Sequence, residues 1–315
     1  MDVGSWLQDA KRWVDSLDAD LIALSNFAPE GSDRSWLVSN NVVKITTSTQ
    51  RQADEMLKKR ASGVPLAYLL RYREFYGRKF QVRPGVLIPR PETETLIELV
   101  KELDLPSRAR FLEIGTGSGC IGVTLALEFP QSEVLATDIS SDALMIAEHN
   151  NIIHEGRLSL LKSDLFEAIN PRIHGQFDVV VANLPYVDPN WRWVDPDALR
   201  HEPLEALYAL GENGLAIYRR FFEDLKSRVE RLGVRFCVVE ADPCQHKSLV
   251  KIAEQNGWKL LKEQDFGLCF RKKRTYKRVS KVPVKAKTTA KTAKTVKTAK
   301  TTKTAKTKKA TKATA

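Results

Sequence analysis

The chain has 315 residues, 43% of them hydrophobic, which is enough for one large domain or a core domain with a small companion and too apolar for a wholly disordered protein. Its formal charge of +11 looks like that of a nucleic-acid binder, but 18 Lys and Arg and no acidic residue fall from Arg271 to Ala315, leaving 32 basic against 39 acidic residues, a net of −7, before them. The charge therefore belongs to a tail, and the part able to fold is mildly acidic.

Cys120, Cys237, Cys244 and Cys269 sit in or beside apolar runs with no CxxC pair, so neither a disulfide framework nor a zinc or other metal site is expected. The N-terminus MDVGSWLQDA lacks a basic segment followed by an apolar one, and no window approaches the roughly 18 apolar residues of a membrane span. A cytoplasmic location without membrane contact is the expectation.

In chain order, Trp6, Leu7, Ala10, Trp13, Val14 and Leu17 recur at helical spacing, and Ser48 to Arg60 opens on a Ser/Thr cap before another such run. Residues 1–72 thus read as a small helical domain of about four helices. From Arg73 to Val82 the pattern turns strand-like around Gly77, so residues 73–90 read as a hairpin linker. Over residues 91–271 short apolar strands alternate with helices. Strands are expected near Arg110–Ile114, Glu133–Asp138, Leu158–Lys162, Phe177–Ala182, Arg235–Glu240, Trp258–Lys262 and Leu268–Arg271. Helices are expected at Pro91–Leu103, Cys120–Phe129, Asp142–His154, Leu215–Leu232 and Pro243–Asn256. This alternation means an α/β fold with a doubly wound, mostly parallel seven-stranded sheet, whose ligands bind beyond the carboxyl ends of the strands. Residues 272–315 become a Lys/Thr/Ala repeat with almost nothing to bury, and disorder is expected there.

The first strand of the sheet runs into Gly115-Thr116-Gly117-Ser118-Gly119, where three alternate glycines let the backbone turn sharply and approach a ligand. Gly117 to Gly122 also fits the GxGxxG dinucleotide fingerprint, and Asp138 at the end of the next strand could grip the ribose hydroxyls of NAD or of S-adenosylmethionine. These features alone leave a methyltransferase, a dinucleotide enzyme and a structural glycine turn open. The strand Phe177–Ala182 then runs into Asn183-Leu184-Pro185-Tyr186 beside the glycine loop. A planar carboxamide or ring amino group needs in-plane acceptors, which Asn183 Oδ1 and the Leu184 carbonyl can supply, and a flat wall, which Tyr186 can form. The bland alternative is an Asn-Pro turn after a buried strand.

The glycine loop, Asp138, Ser163-Asp164-Leu165-Phe166 and Asn183 to Tyr186 resemble the class I amino-methyltransferases. Three further stretches, Leu87 to Glu94 (LIPRPETE), the preceding PLAYLLRYREFYGRKFQV, and His201 to Leu207 (HEPLEAL), resemble more narrowly the release-factor glutamine methyltransferases, the HemK/PrmC family. The similarity covers about residues 60–271, and the N-terminal helical segment has the size of that family's substrate-recognition domain. The resemblance implies S-adenosyl-L-methionine as methyl donor and class I peptide chain release factors as partners, methylated on the glutamine of a Gly-Gly-Gln motif. It implies that Gly115, Thr116, Gly117, Ser118 and Gly119 line the methionine part, Asp138 the ribose, and Asp164 with Leu165 the adenine. Asn183, Leu184, Pro185 and Tyr186 would bind the acceptor and carry the catalysis, Asn183 also touching the cofactor, while Arg90, Glu94 and Glu202 are candidates for closing or walling the site. Three positions depart from the family pattern: Leu184 stands where Pro is usual, Arg71 where Gly is usual, and Leu165 where an aromatic residue can occur.

A DNA or RNA amino-methyltransferase is the rival, because such sites also methylate the exocyclic amino groups of flipped bases. The acidic core opposes that reading and the basic tail favours it. The tail itself is expected to contact nucleic acid or the ribosome nonspecifically through counterion release.

Overall fold

The computed structural model describes residues 1–191, 200–209 and 212–273; the basic tail, expected to be disordered and to contact polyanions, lies outside them. Among the described residues no helix is long and apolar enough to cross a membrane.

Five helices, not about four, precede the hairpin: Val3–Ala10, Ser16–Phe27, Arg34–Ser39, Thr47–Ala61 and Leu66–Leu70. The first four open on side-chain caps from Asp2, Asp15, Asp33 and Thr46, each accepting an orphan backbone N–H. The fifth is one turn started after Pro65 and too short to show a period. Trp6, Ala19, Ile22, Leu37 and Ala53 form a core of their own in this segment. Strands β1 (Tyr72–Phe75) and β2 (Arg78–Gln81) make the expected hairpin, antiparallel with Tyr72 opposite Gln81.

Seven strands follow: β3 (Arg110–Ile114), β4 (Glu133–Asp138), β5 (Leu158–Lys162), β6 (Val179–Ala182), β7 (Phe236–Glu240), β8 (Trp258–Gln264) and β9 (Gly267–Lys272). They lie in the order β5-β4-β3-β6-β7-β9-β8, with β9 antiparallel to both of its neighbours and the other adjacent pairs parallel. The expected doubly wound sheet is present. The central strands are apolar on both faces because helices cover both. Phe111, Val179, Val181 and Val238 pack on Leu96, Ile97, Val100, Ile121 and Leu125. Leu112, Ile114, Val180 and Val239 pack on Phe221, Phe222, Leu225 and Trp258. Strand order reverses between β4-β3 and β6, so a crevice opens at the carboxyl ends of β3 and β6, directly beyond Ile114 and Ala182.

Two helices begin later than the sequence suggests, because tight turns precede them. Pro91–Thr93 is a 3-10 turn before the helix Glu94–Lys101, and Pro243–Gln245 is another before His246–Gln255, the latter closed by a capping box between Asp242 and Gln245. Strand β6 starts at Val179 and not Phe177, whose N–H donates instead to the Leu232 carbonyl.

Arg71, standing where the family tends to have Gly, ends the fifth helix in the left-handed region at φ 66° and ψ 14°. A residue with a Cβ is strained there by on the order of 1 kcal/mol. Replacing Arg71 with Gly should raise the thermal midpoint by roughly 1–3 °C, the larger unfolded-state entropy of Gly offsetting part of the relief. A differential scanning measurement that finds a fall would place the strain elsewhere.

Candidate active site

The parallel register pairs Ile114 with Ala182, so the chain leaves β3 and β6 side by side as Gly115 and Asn183. A Cβ on Gly115 would lie 3.1 Å from Leu184 Cδ2, and one on Gly119 would lie 3.1 Å from the Ala147 Cα. Gly115, Gly117 and Gly119 all have positive φ, at 77°, 54° and 82°. The loop therefore needs glycine both for its backbone angles and for its closeness to the Asn183 loop and to the helix Ser141–Ile153. Gly122, the last glycine of the apparent dinucleotide fingerprint, has a different reason: a Cβ there would reach 2.4 Å from Glu113 Oε2. It makes room for a buried acid and not for a phosphate.

Glu113 is fully buried beneath the loop, where Thr116 Oγ1 donates to its Oε2 at 2.7 Å while Oε1 has no partner. Burial pushes its carboxyl up to about 8, with the Asp138 charge adding to the effect. Asp138 accepts from the Gly117 N–H at 2.9 Å and the Ser140 N–H at 2.8 Å. Burial raises its pKa and these two backbone donors lower it. Asp138 is thus both a brace for the glycine loop and a wall of the crevice. Ser163 folds the next corner, donating to the Leu165 carbonyl at 2.9 Å and accepting from the Ala168 N–H at 3.0 Å. Leu165 is held at φ 44°, and Asp164 pairs with Arg220 at 2.7 Å.

Asp138, Ser163, Asp164, Leu165 and Arg220 line a cavity of about 620 Å³, together with Arg90, Thr93, Asn183 and Leu184. A second cavity of about 220 Å³ lies against it and includes Tyr186, Val187, Glu240, Asp242 and Phe266. The two share Leu87, Arg90, Asn183, Leu184, Pro185 and Ala206. All twelve site residues expected from the sequence gather here, eleven of them on the larger cavity or its glycine loop and Tyr186 on the smaller one.

Asn183 Nδ2 donates to Thr93 Oγ1 at 3.1 Å, and the Tyr186 hydroxyl donates to Glu240 Oε1 at 3.1 Å. Of the three candidates for closing the site, Glu202 is buried and accepts from the Ile88 N–H at 2.9 Å and from Arg90, so it anchors the Leu87–Arg90 segment. Arg90 lines both cavities. Glu94 points elsewhere, accepting from the Tyr76 N–H at 2.7 Å and tying the hairpin turn to the helix Glu94–Lys101.

Comparison with known proteins follows the same lines. The profile of the methyltransferase small domain matches residues 92–198. A release factor glutamine methyltransferase of Koribacter versatilis is 42% identical over 65% of this chain and 71% of its own length. Proteins of the same name from Neisseria gonorrhoeae, at 35% identity over 71% and 81%, and Rhodopirellula baltica, at 38% over 68% and 74%, are also similar. The chain belongs to the release factor glutamine methyltransferases.

Within this family the departure at Leu184 has a local answer. Unlike Pro, Leu184 carries a backbone N–H, and it is buried. The N–H donates to the Tyr218 hydroxyl at 3.3 Å, which in turn donates to the Glu240 carbonyl. Tyr218, on the helix Ala216–Leu232, thereby satisfies the extra donor and ties the Asn183 loop to the end of β7. Neither Tyr218 nor Glu240 was among the expected site residues. Tyr218 gives no local signal; Glu240 does, as an acid ending the apolar run Phe236-Cys237-Val238-Val239 at the same sheet edge as Asn183.

Glu113 makes a prediction about pH. The folded chain keeps its proton up to about 8 and the unfolded chain releases it near the ordinary 4.5, so between those values the native state binds more protons. Its contribution to stability is therefore full below about 4.5 and is lost as pH rises through about 8. Glu113→Gln should flatten the fall in Tm between those limits relative to the parent, measured by thermal melts across the range. Parallel profiles would show that Glu113 is ionised in the fold.

Proposed function

We propose that this chain transfers a methyl group from S-adenosylmethionine to the side-chain amide nitrogen of the glutamine in the Gly-Gly-Gln motif of a class I peptide chain release factor. The observation that carries the reading is the junction of a large cavity and a small one across Asn183, Leu184 and Pro185. A donor and an acceptor held on either side of that junction would meet at Asn183. The relatives' shared name supports a release factor as substrate over a nucleic acid.

The residues of the larger cavity fit the donor. Glycines at positive φ leave a cradle that side chains would fill, and Asp138 keeps carboxylate lone pairs beyond the two backbone donors it already accepts. Asp164 and Leu165 also line it and are assigned to the base. When bound, S-adenosylmethionine supplies a methyl group made electrophilic by its sulfonium.

The small cavity suits a carboxamide. Its walls are largely apolar, with Leu87, Pro185, Tyr186, Val187 and Phe266, and Tyr186 offers a flat face held by its hydroxyl. An amide nitrogen is a weak nucleophile because its lone pair is delocalised, so the site must hold both N–H groups while that delocalisation is broken. Asn183 Oδ1 and the Leu184 carbonyl are assigned to those two hydrogens, an attraction that grows as positive charge develops on nitrogen. The helical segment over residues 1–72, with Trp13 and Leu17 exposed, is assigned to release-factor recognition.

Two substitutions separate the halves of this site. Asn183→Ala should cut single-turnover methylation by roughly 10²–10³-fold while leaving donor affinity nearly unchanged, since it removes one preorganised acceptor at the reacting centre. Asp138→Ala should weaken donor binding by about 10–100-fold, the scale of charge-assisted hydrogen bonds. Calorimetry with rapid-quench kinetics reads both. Normal turnover in Asn183→Ala would remove Asn183 from the mechanism.

A further inference from the structure

We propose that Glu240 is a positioning residue for methyl transfer, holding Asn183 and Tyr186 from behind so that the carbonyl edge of Asn183, and not its amino edge, faces the amide to be methylated. The inference rests on the reading of the acceptor cavity given above.

Glu240 ends β7, is 1% exposed and lines the small cavity. Its Oε1 is engaged by Tyr186, and its Oε2 is buried without a hydrogen-bond partner. A charge so enclosed is costly unless polar groups around it respond. Besides Tyr186, the Thr93 hydroxyl and the Asn183 amide favour its ionised form, acting near it without a hydrogen bond to it. Thr93 also accepts from Asn183 Nδ2, which leaves its own proton free to point at an acceptor.

A carboxylate can only accept hydrogen bonds, whereas the side-chain amide of Asn can present either edge with nearly the same shape. With Glu240 and Thr93 behind it, the amino edge of Asn183 is drawn inward and Oδ1 is left for the cavities. The opposite orientation would set N–H against N–H when an amide entered. The same negative charge, buried beneath the acceptor, favours the positive charge that develops on nitrogen during transfer.

The groups facing Glu240 set how it titrates. They are Tyr186 from the Asn183 loop, Tyr218 from the helix Ala216–Leu232, Cys120 at the start of the helix Cys120–Glu128, and Thr93 and the Glu92 carboxylate from the 3-10 turn, while Arg90 and Asp242 line the same cavity. Burial above all, with Glu92 adding to it, pushes the carboxyl up to about 7. The active, ionised form is thus gained as pH rises through that value.

The test uses the full chain, a release factor and labelled S-adenosylmethionine, with single-turnover rates and donor affinity measured for each variant. Glu240→Gln, which keeps the size but can donate, should lose about 10–100-fold in rate with donor affinity unchanged within about twofold. Glu240→Asp should recover part of that loss, and the rate should rise through about pH 7 in the parent but not in Glu240→Gln. In an Asn183→Ala background Glu240→Gln should cost less than about threefold further, because the residue it positions is gone. Thr93→Val, which removes the intervening hydroxyl, should show the same coupling should Glu240→Gln fold poorly. Full additivity of the two losses, or parental turnover in Glu240→Gln, would overturn the assignment while leaving methyl transfer standing. A parent chain that methylates no release-factor glutamine would overturn both.

Discussion

The pairing of β3 with β6 is the constraint on which the rest of the site depends. Two parallel strands in one register must release their chains at the same height, and the register Ile114 to Ala182 brings Gly115 and Asn183 out together. A side chain on Gly115 would press on Leu184 and come within 3.7 Å of the Asn183 carbonyl, so the glycine loop and the acceptor loop lie against each other. A slip in this pairing would part the two cavities. The many apolar contacts on both faces of β3, β6 and β7 oppose such a slip, since a shift of one residue would move their side chains to the wrong face.

Around that junction the polar groups are buried in two layers. Beneath the glycine loop lie Glu113 and Thr116, and beneath the acceptor loop lie Glu240, Tyr218 and Thr93. Both acids are pushed up by burial, and each leaves one oxygen without a partner. Buried polar groups of this kind cost stability and fix orientation in return. In the first layer they brace a loop that must hold a ligand, and in the second they fix which edge of an amide faces a cavity. Tyr218 joins the layers to the backbone by accepting from Leu184 and donating to the end of β7.

The sheet was legible in the sequence because its strands are short apolar runs between helical periods, and all seven stay within two residues of expectation at each end. Apolarity alone carries the fourth strand back to Phe177, because it does not reveal that the Phe177 N–H turns to the Leu232 carbonyl. The helix starts at Pro91 and Pro243 come out early for a related reason: a 3-10 turn and an α-helical turn share the same Pro and acidic signals. In the site, the glycine loop, Asp138 and Asn183 could be read because each sits at the end of a strand whose neighbour was inferable. Contacts between distant residues could not. Arg220 reaches Asp164, Glu202 reaches Arg90, and Thr93 reaches Asn183 only through the fold, and no local pattern announces them.

The central claim is that the acceptor is a glutamine side-chain amide of a release factor. It is tested most directly by incubating the full chain with a purified release factor, a mixture of nucleic acids and a deuterated-methyl donor, then locating the label by fragmentation mass spectrometry of the digested protein and nucleosides. The account predicts one labelled methyl on the nitrogen of the Gly-Gly-Gln glutamine and none on any nucleoside. Label on an exocyclic amino group of a base, with the glutamine unmodified, would contradict it.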